Sequence, residues 1–336
     1  MSHPSPLTPH GSAMSEKPIG LVLLNMGGPD SLEAVRPFLY NLFSDRDLIQ
    51  LPLGSLLQKP FARLISTVRS RKVVENYRDI GGASPLLHWT QKQAEGIAAR
   101  LGPDYRPYVA MRYWTPRADE VLRQMAVDGV EEAVVLSMYP HYTKATTGSS
   151  VKDFRRAAEQ VHPGLRFSVI EQWHDWPGYL DALAGRIRAG LEYFHELVRD
   201  DVQILFSAHA LPQKFIDRGD PYLEQVMSTV KGTMTRFPER SWRIAFQSRS
   251  GPVKWMEPGT EEIIEQLAGE GCENLLIVPV SFVSDHIETL HEIDAEYIPH
   301  AIARGIRTVF RSPSLNAEPD FLDGLAALVR EHSASR

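Results

Sequence analysis

One cysteine, Cys272, stands among 336 residues. No disulfide can close within the chain, and an iron–sulfur cluster held by the usual four thiolates is excluded. So little cysteine also suits a reducing compartment. Long hydrophobic runs are missing too: no apolar stretch approaches the roughly 18 residues that cross a bilayer. Positive charge is in deficit, with 36 Lys and Arg against 42 Asp and Glu and a net charge of -6. Nucleic-acid binders usually carry a basic patch or stripe, so that class is disfavoured and no nucleic-acid partner is expected. The first seventeen residues, MSHPSPLTPHGSAMSEK, lack the apolar centre of a signal peptide and read as a disordered tail, 1–17. A soluble, cytoplasmic protein is expected, in contact with a membrane surface at most.

What remains is ordinary in bulk: 43% hydrophobic and 23% charged residues, and length enough for two domains. Eight short apolar runs alternate with helix-like segments. They cover 20–26, 108–114, 132–139 and 167–173, then 202–208, 243–248, 274–282 and 307–312. Near-continuous apolar strands between helices imply parallel sheets covered on both faces. The halves resemble each other at one offset of 142 residues. It pairs Gly129-Val130-Glu131 with Gly271-Cys272-Glu273, and Pro177, Tyr179 and Leu180 with Pro319, Phe321 and Leu322. The expected fold is α/β, two similar doubly wound, Rossmann-like domains at 18–170 and 171–336. Each holds a four-stranded parallel sheet, with a cleft between them. Ligands of such sheets bind beyond the carboxyl ends of the strands.

Those ends therefore matter most. After the first strand comes Asn25-Met26-Gly27-Gly28-Pro29-Asp30, a glycine turn that matches neither nucleotide-binding fingerprint. It suits a tight turn or a close approach of backbone to ligand. After the fifth comes His209, which could take protons, bind a borderline metal such as Fe²⁺, or be a satisfied structural residue. After the seventh, Ser284 is expected to cap a helix. At 100° per residue, Asp285, Glu288, Glu292 and Glu296 would fall within about 80° of arc, with Ile287, Leu290, Ile293 and Tyr297 opposite. An acidic stripe is usually a solvated face. The alternative is a row of carboxylates that conducts a cation or protons to the cleft.

From about Ile19 to Tyr297 the chain closely resembles the ferrochelatase family. The segments that carry the likeness include LNMGGPDSLEAVRPFLYNLFSDRDLIQLP (24–52), YRDIGGASPLLHWTQKQ (77–93), YPHYTKATTGSS (139–150), FSAHALP (206–212) and SFVSDHIETLHEIDAEY (281–297). The resemblance implies insertion of Fe²⁺ into a porphyrin with release of two protons, and it assigns candidate residues. His209 and Glu288 would be catalytic, and His209, Glu288 and Glu292 would handle the metal. His286, Glu296 and Asp285 would extend an acidic path. Met26, Arg112, Tyr113 and Tyr139 would line the porphyrin pocket, with Tyr77 and Ser84 on its propionate side. Trp176, with His174 and Asp175, resembles a metal-route region. The Asn25–Pro29 turn resembles the protoporphyrin-using branch, so protoporphyrin IX is the expected substrate. No tightly bound cofactor is expected, and the cluster cysteines of the animal members are absent. The matching segment at 38–65, interrupted by Pro52 and Pro60, would form an apolar lip able to touch the inner membrane.

Other classes remain open on the residues alone. Coproporphyrin III could replace protoporphyrin IX as substrate. A bilobed carrier of a tetrapyrrole or a chelated metal would share the cleft without the chemistry. A nucleotide-sugar glycosyltransferase would need a phosphate-binding glycine loop, and a cobalt or nickel chelatase is separated only by the motif match.

Overall fold

The computed structural model describes residues 17–49 and 54–335. Residues 1–16 of the tail expected at 1–17, and the lip residues Gln50, Leu51, Pro52 and Leu53, lie outside them. The first half runs β1 (Ile19–Asn25), α1 (Val35–Ser44), α2 (Gly54–Asp79), α3 (Leu86–Leu101), β2 (Tyr105–Met111), α4 (Ala118–Val127), β3 (Glu132–Ser137), α5 (Ser149–Val161) and β4 (Arg166–Ile170). The second half runs α6 (Pro177–Leu191), β5 (Gln203–His209), α7 (Gln213–Asp217), α8 (Tyr222–Met234), β6 (Trp242–Gln247), α9 (Thr260–Gly269), β7 (Asn274–Pro279), α10 (Ile287–Leu290), α11 (Ile298–Ala303), β8 (Thr308–Arg311) and α12 (Pro319–Ala334).

Eight strands form two four-stranded parallel sheets, ordered β2-β1-β3-β4 and β6-β5-β7-β8. The central strands are Val-, Leu- and Ile-rich and buried on both faces, as the unbroken apolar runs require. In each sheet the order in which strands are added reverses between the first and third strands of its half. A crevice therefore opens beyond the carboxyl ends of β1 and β3, and another beyond β5 and β7. The glycine turn, His209 and the acidic segment all emerge at these ends.

The internal likeness has a packing basis. Gly129 and Gly271 hold φ of +73° and +86° in the turns that lead into β3 and β7. Pro177 and Pro319 open α6 and α12, where proline costs no hydrogen bond. These two helices cross at Gly178 and Gly324, so tightly that a Cβ on Gly178 would stand 2.7 Å from the Gly324 Cα. The Trp176 indole donates to the Gly324 carbonyl at 2.8 Å, which gives this residue an anchoring place between helices. The His174 carbonyl accepts from Thr229 Oγ1 at 2.6 Å in the same region.

One helix corrects the sequence expectation. Pro60 does not interrupt the lip segment: α2 runs 26 residues with Pro60 inside it. The proline lies in the second turn and costs one backbone bond, while about five turns beyond it continue undisturbed. Buried Val35, Phe38, Leu39, Phe43, Ala62, Tyr77 and Tyr113 join α1 and α2 into one apolar cluster. No helix among the described residues is long and apolar enough to cross a membrane.

Asp45, just past α1, ties this hairpin to the first sheet. Its carboxylate accepts from Arg112 Nη2 at 2.9 Å, from the Tyr113 hydroxyl at 2.7 Å, and from Ser149 Oγ. Burial favours its neutral form, but Arg112 and the hydroxyl donors outweigh that and hold its pKa below the ordinary carboxyl value. Stability from a depressed carboxylate is present above the unfolded pKa and lost as pH falls through the folded one. Asp45→Asn is expected to cost about 3–5 kcal/mol at pH 7, because Arg112 is left half-compensated in a buried site. Thermal melts should show the gap between variant and parent closing below about pH 4. A constant gap down to pH 2 would contradict this.

Candidate active site

The site is built where β1, β5 and β7 end. Asn25 closes β1; its amide donates to Thr90 Oγ1 at 3.0 Å, and its Oδ1 accepts the Met26 N–H at 2.8 Å. Gly27 follows at φ +83°, a backbone that glycine adopts without strain, with Met111 and Trp114 crowding the space a Cβ would need. Gly28 packs directly on Ser84, whose N–H donates to the Pro29 carbonyl at 2.8 Å. Met26 and Ser84 thus share the wall of a cavity of about 540 Å³. Phe38, Leu39, Leu42, Val73 and Ile287 give it apolar sides, and Arg69, Lys72, Asn76 and Tyr77 line it from α2. That size and mixture suit a large, flat, mostly apolar ligand with a few charged groups.

His286, Glu288, Glu292 and Glu296 lie on the cavity wall. His209 reaches it through Glu288: its Nδ1 lies 2.8 Å from Glu288 Oε2. The His209 backbone is fixed on both sides. Its N–H donates to Ser281 Oγ at 3.0 Å, and its carbonyl accepts from the Tyr222 hydroxyl at 2.8 Å. Burial opposes the imidazolium, but the charge and hydrogen bond of Glu288, with Glu292 further off, raise the His209 pKa above its ordinary value. In the same pair burial opposes the carboxylate, and His209 outweighs it, so Glu288 titrates below the usual carboxyl range.

Glu292 is held differently. Its Oε1 accepts the Ser248 N–H at 2.6 Å and the Tyr297 hydroxyl at 2.8 Å, and its Oε2 accepts Ser248 Oγ at 2.5 Å. The same Ser248 hydroxyl stands 3.2 Å from Glu288 Oε2 and so bridges the two carboxylates. Ser248 does this at φ +64°, a strained conformation for a residue with a side chain. Burial and the neighbouring Glu288 charge push the Glu292 pKa up despite these donors. The two neighbouring carboxyls are thus pushed apart, Glu288 down and Glu292 up. Glu296, exposed at the cavity rim, accepts from His291 Nε2 at 3.2 Å. Burial keeps the His286 ring below its ordinary pKa; its Nδ1 faces the Ser284 carbonyl at 3.1 Å, and its Nε2 has no hydrogen-bond partner among the described residues. No group of three His, Cys, Asp or Glu side chains among the described residues is arranged to hold a metal ion. His209 pairs with Glu288, and Ser248 links Glu288 to Glu292.

The family model described as Ferrochelatase matches residues 18–333. The chain belongs to the ferrochelatase family. Members insert a metal ion into a porphyrin. The chain is 51% identical over 319 residues to the Ferrochelatase of Geobacter metallireducens, covering 95% of this chain and 99% of that protein. With the Ferrochelatase of Synechocystis sp. it shares 45% identity over 323 residues, 93% of this chain and 82% of the relative. Among solved structures, SirB from Bacillus subtilis with Fe³⁺ superposes with a TM-score of 0.56 at 11% identity, over 94% of this chain and 96% of that one. At that identity the likeness shows a shared fold.

The structure departs from several of the sequence expectations. The acidic segment is not one α-helix capped by Ser284. His286 is the N-cap, its N–H donating to Thr289 Oγ1 at 3.0 Å, and α10 gives way to a π-helical turn at Glu292–Tyr297. The Glu296 N–H reaches back five residues to the His291 carbonyl at 3.2 Å. The wider turn breaks the 100° spacing beyond His291, and Ile287, next to Glu288 in α10, lines the cavity with the acids instead of facing away. Asp285 leaves the row altogether. Its carboxylate accepts from Arg311 at 3.1 Å, Ser314 at 2.7 Å and Asn316 at 2.8 Å, which anchors the loop to β8. Met26, Tyr77 and Ser84 lie on the cavity wall, but Arg112 and Tyr113 do not; both turn to Asp45. Tyr139 borders a small cavity of about 30 Å³ that also touches Met26 and His286.

Sequence reasoning missed Arg69, Lys72, Asn76, Ser248 and Arg249 on the wall. A signal for three of them existed. Steps of four residues back from Tyr77 give Val73 and Arg69, and from Asn76 give Lys72 and Val68, all on one helical face.

Proposed function

We propose that the chain inserts Fe²⁺ into protoporphyrin IX, with His209 as the base that takes a pyrrole proton. The observation that carries this reading is the His209–Glu288 pair at 2.8 Å, set at the edge of an apolar cavity of about 540 Å³. Metal insertion requires the ion to lose water, two N–H protons to leave, and the ring to bend toward the metal. An imidazole fixed through its backbone by Ser281 and Tyr222 receives the two pyrrole protons one after the other, and the Glu288 carboxylate stabilises the cation formed each time. Glu292, bridged to Glu288 through Ser248, takes the proton onward, and Glu296 releases it at the rim. Oxygen and imidazole donors bind Fe²⁺ weakly enough to give it up.

Protoporphyrin IX fits better than coproporphyrin III. It carries two carboxylates and two vinyl groups, where coproporphyrin carries four carboxylates. The apolar side chains of α1 would meet the vinyl edge, and Arg69, Lys72 and Ser84 the carboxylate edge. Leu56, Leu64 and Val68 on α2 are each at least 66% exposed, a surface fit to touch the membrane in which an apolar porphyrin resides. Anaerobic assays with both porphyrins should give the higher kcat/KM for protoporphyrin IX; the reverse order would move the chain to the coproporphyrin branch. Glu292→Gln should slow turnover about tenfold, with porphyrin affinity measured by fluorescence titration unchanged within severalfold. A matching loss of affinity would make Glu292 a binding group instead.

A further inference from the structure

Behind the pocket lies a second cavity, of about 500 Å³. α1 is the partition. Phe38, Leu39 and Leu42 face the porphyrin-sized side, whereas Tyr40, Asn41 and Ser44 face the other. The cations Arg46, Lys59, Arg112, Arg117, Lys152 and Arg156 line it, against the carboxylates Asp45, Asp47 and Asp153. Six against three leaves three positive charges in excess, within a chain whose net charge is -6.

The three carboxylates do not neutralise the cavity. Asp45 spends its acceptors on Tyr113 and Ser149 as well as Arg112. Asp153 is shared by three guanidiniums, with Arg156 at 2.5 Å, Arg117 at 3.7 Å and Arg112 at 3.8 Å. Asp47 pairs with Lys152 at 2.9 Å. Arg46 and Lys59 engage in no ion pair among the described residues. Clustered guanidiniums in a concave, partly shielded site repel one another unless an anion joins them, and their planar forks match phosphate oxygens.

We propose that this cavity binds a phosphate-bearing anion of two or more negative charges. Four arginines converge there with the hydroxyls of Tyr40 and Ser44 and the amide of Asn41 as further donors. A monocarboxylate would leave most of the excess charge unmatched. The phosphate could be that of a soluble organic diphosphate or of a lipid headgroup, since Lys59 shares α2 with the exposed Leu56 and Leu64.

The test is calorimetric titration of pyrophosphate into the full chain, without porphyrin or iron, at low ionic strength. Saturable one-site binding is expected, weakened at least tenfold in an Arg46→Gln/Lys59→Gln double variant and unchanged in Arg166→Gln, whose cation pairs with Glu132 elsewhere on the first sheet. Should the double variant melt below its parent, Lys152→Gln alone serves, with a smaller loss of the same sign. A parallel arm uses phosphatidylglycerol vesicles. Vesicle binding displaced by pyrophosphate assigns the site to a lipid headgroup, and pyrophosphate binding without vesicle competition assigns it to a soluble phosphate. Absence of pyrophosphate binding, or binding that the cavity variants leave intact, overturns the proposal.

Discussion

A His209→Ala variant is expected to lose about 10²–10⁴-fold in iron insertion, the range supplied by a positioned general base. That is about 2.7 kcal/mol or more of barrier. Porphyrin affinity should stay within severalfold, because the apolar walls come from α1, α2 and Ile287 and not from β5. Steady-state rates and fluorescence titration separate the two effects. Undiminished turnover would remove His209 from the chemistry, and an equal loss of affinity would make it a binding residue.

Glu288→Gln is expected to cost about 10²-fold in kcat and also to move the pH profile. In the parent, the Glu288 carboxylate favours the imidazolium, so His209 titrates above its ordinary value of about 6.5. A base must be unprotonated to act, so the rate should rise as pH climbs through that elevated pKa. Glutamine removes the charge and leaves burial, which disfavours the cation, as the dominant influence. The acid limb should therefore shift to lower pH while the plateau falls, since the imidazolium formed during the reaction has lost its counter-charge. A limb that stays in place, or moves to higher pH, would show that a different group sets it.

Much of this fold was legible because its physics is local. Each of the eight strands announced itself as a short apolar run, and the rule about strand ends then led to Met26, His209 and Glu288. The failures share a different cause. Nothing in Glu292–Tyr297 marks a π turn, yet that turn overrides the 100° spacing over the second half of the acidic segment. Asp285 looked like another acid in the row until Arg311, 26 residues away, claimed it. Arg112 was placed by likeness of motif, and only the three-dimensional position of Asp45 reveals which side of α1 it serves. Local propensity weighs against proline and predicts a break at Pro60, whereas packing on α1 carries the helix past it. Ser248 was invisible, since its importance lies in a backbone twist and two distant carboxylates.

The most direct measurement is anaerobic. Purified chain is mixed with a large molar excess of Fe²⁺ and protoporphyrin IX, and the loss of porphyrin fluorescence is followed together with the rise of the haem spectrum. Many turnovers per chain, abolished in His209→Ala, are the expected result. Porphyrin bound tightly in a one-to-one ratio, with no haem formed beyond the uncatalysed rate, would contradict it and make the chain a carrier.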